Sequence, residues 1–207
     1  MKNSIIFCLL ALLLWQPLKA QNINDTFTDE YDGYELMYSV IGINPNKVGV
    51  SCYTPPDEEM NLYIPETVTD NGIEYTVTQI TENGFMGIDK FVGELQLPNS
   101  IESIGDEAFS GTGIDGNLVL GENISSTGLK NGAFNGTNIE SLTIKSQKIT
   151  NIGEECFRNC ESVKNITLSN SIKTIGHSAF RGCSNLTNLT LPESINTIDS
   201  YAFASTG

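Results

Sequence analysis

Basic residues are scarce in this sequence, which has 11 Lys and Arg against 25 Asp and Glu in 207 residues. Two of the lysines, Lys2 and Lys19, lie in the first twenty residues, which contain no acid. The remainder therefore has 9 basic and 25 acidic residues, a net charge near −16. A chain this acidic repels a phosphate backbone, which argues against nucleic acid as a partner. The same charge disfavours adsorption to anionic lipid.

Residues that commonly carry catalysis or bind metals are also few. His177 is the only histidine, and no Ser or Cys is placed by the sequence to pair with it. Four cysteines follow residue 20, too few for a small disulfide scaffold, and none of them forms a CxxC pair with metal spacing. We therefore predict no enzymatic activity, no catalytic residue, no metal and no cofactor.

Long apolar runs are absent as well, since none reaches the roughly 18 to 20 residues that a membrane helix needs. The one apolar run, Ile5 to Trp15, follows Lys2 and precedes a change to polar composition after Ala20. This pattern is typical of a secretory signal peptide, so we predict cleavage near Ala20 and no membrane span. The rest of the chain is expected to be secreted or displayed on the cell surface.

What the sequence does contain is one motif at a nearly fixed period, Ile-Gly-x-x-Ala-Phe and its variants. Its aromatic residue recurs at spacings of 24, 25, 23, 23 and 23, at Phe85, Phe109, Phe134, Phe157, Phe180 and Phe203. Self-similarity at roughly 20 to 29 residues is typical of a solenoid, in which each unit covers the apolar face of its neighbour. We therefore predict a β-rich solenoid of about five to six repeats of 23 to 25 residues.

Each repeat contains a short strand such as Ile166-Thr167-Leu168, in which alternate side chains point to opposite faces. Apolar residues are expected inside and polar residues outside. The outward positions are Glu94, Gln96, Asn117, Val119, Ser141, Thr143, Asn165, Thr167, Asn188 and Thr190. Repeat proteins bind partners on such extended surfaces, so this face is the predicted ligand-binding site.

The predicted site is neutral, rich in hydroxyl and amide groups, and has no aromatic anchor. The candidate ligand-binding residues are Gln96, Asn117, Thr143, Asn165, Thr167, Asn188 and Thr190. This composition favours a weak, multivalent or carbohydrate-type contact with an extracellular protein or glycan. In the alternative interpretation, Thr is present for strand propensity alone.

Two further columns of the repeat carry structural expectations. Gly105, Gly153 and Gly176 each follow an Ile, which predicts a turn with positive φ, and Asp199 replaces glycine there in the last unit. Cys160 and Cys183 share a repeat position and are expected to be stacked neighbours. Their spacing would permit a disulfide, and buried free thiols are the alternative.

The repeats resemble the BspA-like bacterial leucine-rich-repeat family over roughly residues 75 to 207. The resemblance rests on five tandem copies and on stretches such as Leu97-Pro98-Asn99-Ser100-Ile101 and Ala179-Phe180-Arg181-Gly182-Cys183. It implies a leucine-rich-repeat right-handed superhelix, exported or surface-displayed, that serves adhesion or ligand binding. A structural spacer that displays another module is the alternative function.

The part before the repeats divides into a flexible lead-in, residues 21–30, and an N-terminal β cap, residues 31–80. Predicted strands in the cap are Glu35 to Ile41, Val48 to Tyr53, Leu62 to Val68 and Ile73 to Ile80, with a hairpin turn at Asp70-Asn71-Gly72. Residues 81–207 form the repeats. The last repeat is expected to be uncapped, which favours either a fragment of a longer solenoid or a partner at that end.

Overall fold

The computed structural model describes residues 22–31 and 33–207, so the predicted signal peptide lies outside the described residues. Strands and turns make up all the regular structure of this part of the chain. None of it forms a helix that could cross a membrane.

The described residues form fifteen strands in three sheets. In chain order the strands are β1 (Thr26–Tyr31), β2 (Tyr34–Ile43), β3 (Asn46–Thr54), β4 (Met60–Tyr63), β5 (Thr67–Asp70), β6 (Ile73–Ile80), β7 (Phe91–Gln96), β8 (Ser103–Ile104), β9 (Ile114–Leu120), β10 (Asn138–Ile144), β11 (Asn151–Ile152), β12 (Asn165–Thr167), β13 (Thr174–Ile175), β14 (Asn188–Thr190) and β15 (Thr197–Ile198). This arrangement confirms the predicted β-solenoid.

The longest strand of each repeat belongs to one parallel sheet, in the order β14-β12-β10-β9-β7-β4. Its side chains alternate as period two requires: Leu118, Leu142 and Ile166 are buried, and their neighbours along each strand are exposed or half-buried. Equivalent residues of β9, β10, β12 and β14 pair in register. The repeat period therefore places each outward residue beside its counterpart in the next turn.

A second set of short strands stacks along another side of the solenoid. β8 pairs in parallel with β6, Ile104 of β8 forms a bridge with Leu129, and β11, β13 and β15 form a three-stranded sheet. These strands contribute one column of isoleucine and leucine side chains. Each of these residues comes shortly before the Phe-containing turn of its repeat. The apolar core therefore continues from turn to turn.

The third side of each repeat is the turn that carries the periodic Phe. Neighbouring rings from Phe85 to Phe203 are stacked, with centroids 5.2–5.5 Å apart and interplanar angles of 1–13°. The backbone of the same turns is hydrogen-bonded between repeats, as where Phe157 N donates to Ala179 O at 2.8 Å. We call this stack the Phe ladder. The Phe ladder confirms that the Phe residues found at a constant spacing in the sequence form one interior column.

The glycine expectation was wrong. Gly105, Gly153 and Gly176 do not have positive φ; the left-handed residues lie two positions later, at Asn83, Glu107, Gly132, Glu155, Ser178 and Tyr201. Asp199 likewise lies outside the left-handed region. The glycines are needed for space: a Cβ on Gly176 would lie 2.8 Å from Ile152 O and 2.9 Å from Glu154 N, in the preceding turn.

The cysteines of the repeats are free thiols rather than a disulfide. Cys160 Sγ donates to Phe134 O at 3.1 Å, and Cys183 Sγ donates to Phe157 O at 3.2 Å. Both residues are fully buried. Burial raises the pKa of the Cys160 thiol to about 11 and that of Cys183 to about 12, and it raises the pKa of Cys156 as well.

The N-terminal part differs from the sequence expectation in its first strand. Residues 26–30, predicted as part of the flexible lead-in, form β1 together with Tyr31 of the predicted cap, and β1 pairs antiparallel with β2 along its full length. Phe27 stacks on Tyr38 with ring centroids 5.4 Å apart, so an aromatic contact holds this strand on the sheet. The sequence of β1 has no strong alternation of apolar and polar residues, because most of its side chains remain exposed in the sheet.

The predicted strand from Leu62 to Val68 is two strands, β4 and β5. They belong to different sheets, and the backbone turns between them at Pro65, which has no amide hydrogen for a sheet. β4 pairs in parallel with β7, and β3 and β6 also pair in parallel, so stacking of the repeats begins before residue 81. The hairpin at Asn71 and Gly72 is confirmed, with φ of 49° and 78° at the two turn residues.

Replacing Phe157 by Ala should lower the free energy of unfolding by about 3 to 5 kcal/mol, because it removes a fully buried ring stacked on both sides. Urea unfolding followed by circular dichroism measures the change. Phe203→Ala is the matched control: because Phe203 is half-buried, its replacement should lower the free energy of unfolding by less. A loss under about 1 kcal/mol for Phe157→Ala would contradict an interior Phe ladder.

Ser178 offers a stabilising substitution. It is fully buried, has φ of 54°, and its hydroxyl has no hydrogen-bond partner in the described chain. Ser178→Gly should therefore raise the free energy of unfolding by about 1 kcal/mol, since it relieves left-handed strain and an unpaired polar group. Gly176→Ala, two residues earlier, should lower it by about 2 kcal/mol through overpacking. If both variants moved stability in the same direction, the assignment of strain and close approach would be wrong.

The buried thiols should react slowly while the protein is folded. At about pH 8 a thiol with a raised pKa has little reactive thiolate, and burial blocks access besides. We expect Cys156, Cys160 and Cys183 to resist iodoacetamide in the native protein and to be alkylated in urea, as measured by peptide mass spectrometry. Cys52, half-buried and with its pKa raised by burial to about 11, is the internal comparison. Rapid native labelling of Cys160 would contradict the packing.

Candidate ligand-binding face

The outward side of the six-stranded parallel sheet, which we call the strand face, consists of two regular rows. Pairing in register aligns two rows of outward residues. One consists of Asn117, Ser141, Asn165 and Asn188, and we call it the amide row after its three asparagines. The other consists of Val119, Thr143, Thr167 and Thr190, and we call it the hydroxyl row after its three threonines. All of these side chains are exposed or half-buried. The predicted site residues of β9, β10, β12 and β14 are therefore brought together on one surface.

Members of the amide row bind to one another. Ser141 Oγ donates to Asn117 Oδ1 at 2.6 Å, and Asn188 Nδ2 donates to Asn165 Oδ1 at 3.0 Å. The hydroxyls of Thr143, Thr167 and Thr190 make no hydrogen bond within the described part of the chain. The amide row is thus a fixed surface, and the hydroxyl row has free donors and acceptors.

Gln96 lies at the N-terminal end of the strand face, outside the regular rows. Gly93 and Gly116 have φ of 79° and 69°, and β7 pairs with β9 only at Gly93 and Glu94, which interrupts the regular register. A depression of about 590 Å³ opens at this irregularity. It brings Gln96 together with Glu94, Asn99, Asn117, Val119, Glu122, Asn123 and Lys145.

The polar groups of this depression are partly ordered by the protein itself. Gln96 Nε2 donates to Glu94 Oε1 at 3.0 Å, and Asn123 Nδ2 donates to the backbone oxygen of Asn99 at 3.0 Å. Carboxylates of Glu94 and Glu122 and the ammonium of Lys145 give it charges of both signs. The site has the size of a small-molecule pocket, with amide and carboxylate groups as its orienting polar atoms.

Sequence reasoning missed an aromatic residue at this end of the sheet. Tyr63 is the partner of Gln96 across β4 and β7, and 60 % of its surface is exposed. A signal was available: Leu62-Tyr63-Ile64-Pro65 has the same pattern as Leu95-Gln96-Leu97-Pro98. The predicted column contains no aromatic residue, but the sheet continues beyond it to Tyr63 on β4, in the segment predicted as cap.

Tyr34 holds the end of β4 in place. Its hydroxyl donates to Tyr63 O at 3.1 Å and accepts from Tyr63 N at 3.0 Å. Burial raises the pKa of the Tyr34 hydroxyl, which therefore remains protonated and able to donate at neutral pH. The Tyr34 ring packs edge-on against Phe91 at 5.1 Å, so the anchor is itself tied to the core.

His177 has a neighbour that the sequence did not reveal. Its Nδ1 lies 2.9 Å from Ser200 Oγ in the next turn, and its ring meets Tyr201 edge-on at 5.8 Å. Ser200 is exposed and His177 is half-buried, and no carboxylate is bonded to either side chain among residues 22–31 and 33–207. This is a surface contact between equivalent positions of stacked turns.

Metal ligands are not assembled in the described ranges, where no three His, Cys, Asp or Glu side chains are grouped closely enough to hold an ion. At the last described turn the interior is less covered than elsewhere. Ile198 is 47 % exposed, and Ile195 and Phe203 are only half-buried, whereas the preceding members of these columns are buried.

The fold is similar to solved bacterial repeat proteins. The pneumococcal vaccine antigen PcpA matches with a TM-score of 0.67 and 21 % identity over 90 % of this chain and 49 % of that one. A leucine-rich repeat protein from Bacteroides ovatus matches with a TM-score of 0.51 and 22 % identity over 89 % and 50 %. This chain thus spans about half the length of each. No curated protein matches it.

A family model described as a BspA type leucine rich repeat region matches in six copies, over residues 62–130 and 78–207. The matched residues begin at β4, where the parallel sheet of the solenoid also begins. They amount to well over half of the sequence, and so the chain belongs to the BspA-type leucine-rich-repeat family.

Proposed function

We propose that this chain is a secreted or surface-exposed, non-enzymatic binding protein that holds its ligand on the strand face. The residues assigned to the site are Gln96, Asn117, Thr143, Asn165, Thr167, Asn188 and Thr190. The observation that carries the proposal is the alignment of Thr143, Thr167 and Thr190 in register across three parallel strands, with their hydroxyls unpartnered in the described chain. A ligand with repeating polar groups can contact several equivalent positions at once.

The ligand class is an extracellular protein or glycan. Parallel strands lie about 4.8 Å apart, so each row presents similar groups at that interval. Individual contacts of this kind are weak, and several together give useful affinity. The strongly acidic composition disfavours nucleic acid and anionic lipid as ligands.

Export is part of the same proposal. The lysine, apolar run and polar change within the first twenty residues support a signal peptide cleaved near Ala20. Membership of a bacterial leucine-rich-repeat family supports a role at the cell surface, and PcpA is described as a vaccine antigen.

A spacer function is the alternative, and one observation favours it. Two hydrogen bonds join neighbouring members of the amide row to each other, as in a purely structural column. In that case the solenoid would hold another module away from the cell, and the strand face would have no ligand.

The decisive variant changes Thr143, Thr167 and Thr190 together to Lys. Binding of the purified protein to an array of matrix proteins and glycans should fall at least about tenfold, because three long cationic side chains would cover the hydroxyl row. The matched control changes Asn151, Thr174 and Thr197 to Lys. These residues stack in the three-stranded sheet and add the same charge elsewhere.

Loss of binding in the strand-face variant alone would support the proposal. Equal loss in both variants would indicate a charge effect and contradict the site, and so would binding that survives in both. No binding by the unchanged protein would favour the spacer.

A further inference from the structure

Tyr63 departs from the otherwise uniform surface of the solenoid sheet. It lies on β4, beyond the regular rows, and its counterpart on β7 is Gln96. Because Leu62 and Leu95 are both buried, the residues that follow them, Tyr63 and Gln96, share the outward side of adjacent strands. An exposed aromatic residue thus lies one strand spacing from Gln96, which itself lines the polar depression.

The position of this ring is fixed by the cap. The Tyr31 ring lies 6.0 Å from that of Tyr63 and stacks at 5.5 Å on Tyr34. Tyr34 in turn binds both backbone polar groups of Tyr63. A ring held in this way costs little conformational entropy on binding, which is the property that makes tyrosine effective in recognition.

The same contacts argue against strand addition as the binding mode. An edge strand recruits an extended peptide through its free N–H and C=O groups. At Tyr63 these groups are already bound to the Tyr34 hydroxyl. The surface that remains available is the side chain and not the backbone.

Beside the ring are the polar groups that a sugar requires. Gln96 Nε2 is bound to Glu94 Oε1, which leaves the second carboxylate oxygen of Glu94 and the amide oxygen of Gln96 as acceptors in the described chain. Asn117 and Asn123 add further amide groups in the depression. Carboxylate and amide oxygens can accept from several hydroxyls at fixed positions, as neighbouring hydroxyls of a pyranose present them.

We propose that Tyr63, Gln96 and Glu94 form a subsite for a neutral glycan, in which one face of a sugar ring packs on Tyr63. The inference rests on the proposed function, since it names the ligand class of the strand face. The axial C–H groups of a pyranose make one face apolar, which suits an aromatic surface, while its hydroxyls reach the amide and carboxylate groups. The glycan is neutral because the two carboxylates of Glu94 and Glu122 outnumber the one ammonium of Lys145 in the depression, and the chain as a whole is strongly acidic, so an acidic sugar would be repelled.

The test uses the purified protein and soluble neutral tetrasaccharides of glucose, mannose, galactose and N-acetylglucosamine. Binding is measured by isothermal titration and by saturation-transfer difference NMR. At least one sugar should bind, and Tyr63→Ala should weaken that binding at least about tenfold. Tyr63→Phe should keep most of it, because the ring remains. Gln96→Ala should weaken it without affecting folding.

Tyr53→Ala is the matched control. Tyr53 is 61 % exposed, close to the 60 % of Tyr63, but it lies on β3 in the other large sheet. It should leave binding unchanged. Circular dichroism and the unfolding midpoint show that each variant is folded.

The possible outcomes distinguish the glycan subsite at Tyr63 from the binding function of the strand face as a whole. If a matrix protein binds through the hydroxyl row while no tetrasaccharide binds, the glycan subsite is overturned and the binding face stands. If a tetrasaccharide binds equally well to Tyr63→Ala, the face takes sugars but the Tyr63 subsite is wrong. If nothing binds to the unchanged protein, both fail.

Discussion

The close approach of one turn to the next is the constraint on which the rest of this structure depends. Rings of the Phe ladder lie 5.2–5.5 Å apart and nearly parallel, so each repeat must present the same shape to its neighbour. The spacing explains why Gly105 and Gly176 cannot carry a Cβ without meeting backbone of the preceding turn. It also explains why Thr, Cys and Ala occupy the tight positions around the ladder, where a larger side chain would separate the turns.

The same constraint shapes the surface. When interior columns are held in register, the residues between them are held in register too, and Asn165 of one turn lies beside Asn188 of the next. Side chains that would be independent on an ordinary surface become rows with a fixed interval. Whether such a row binds a ligand or only itself depends on its free polar atoms, and here the amide and hydroxyl rows differ. The hydroxyl row therefore has more unpartnered polar atoms available to a ligand than the amide row has.

The repeats could be predicted from the sequence because their signal is repeated five times. Phe157 or Thr167 alone would say little, but each is supported by counterparts at equal intervals. Features that occur once were harder to predict. β1 is held by its pairing with β2 and by ring contacts of Phe27 and Tyr31, none of which recurs in the repeats. The His177–Ser200 pair depends on which outer positions meet across turns. The sequence showed that one column of the repeat requires glycine, but the reason predicted for it was wrong. Glycine is favoured both where φ is positive and where another backbone approaches closely, so its presence alone does not tell the two apart. Only the backbone angles distinguish the two causes.

In the proposed function, Tyr63 gives the strand face a position that its regular rows lack. A column of equivalent residues gives a ligand many equal positions and therefore no unique one. β4 has the apolar pattern of a repeat strand, so it joins the sheet, but its outward residue is aromatic where β7 has Gln96. The cap then adds Tyr31 and Tyr34 to hold that ring. The solenoid thus provides the rigid sheet, and the junction with the cap makes one end of that sheet distinct. The proposed subsite accordingly predicts that selectivity depends on the first strands of the sheet more than on the regular turns that follow.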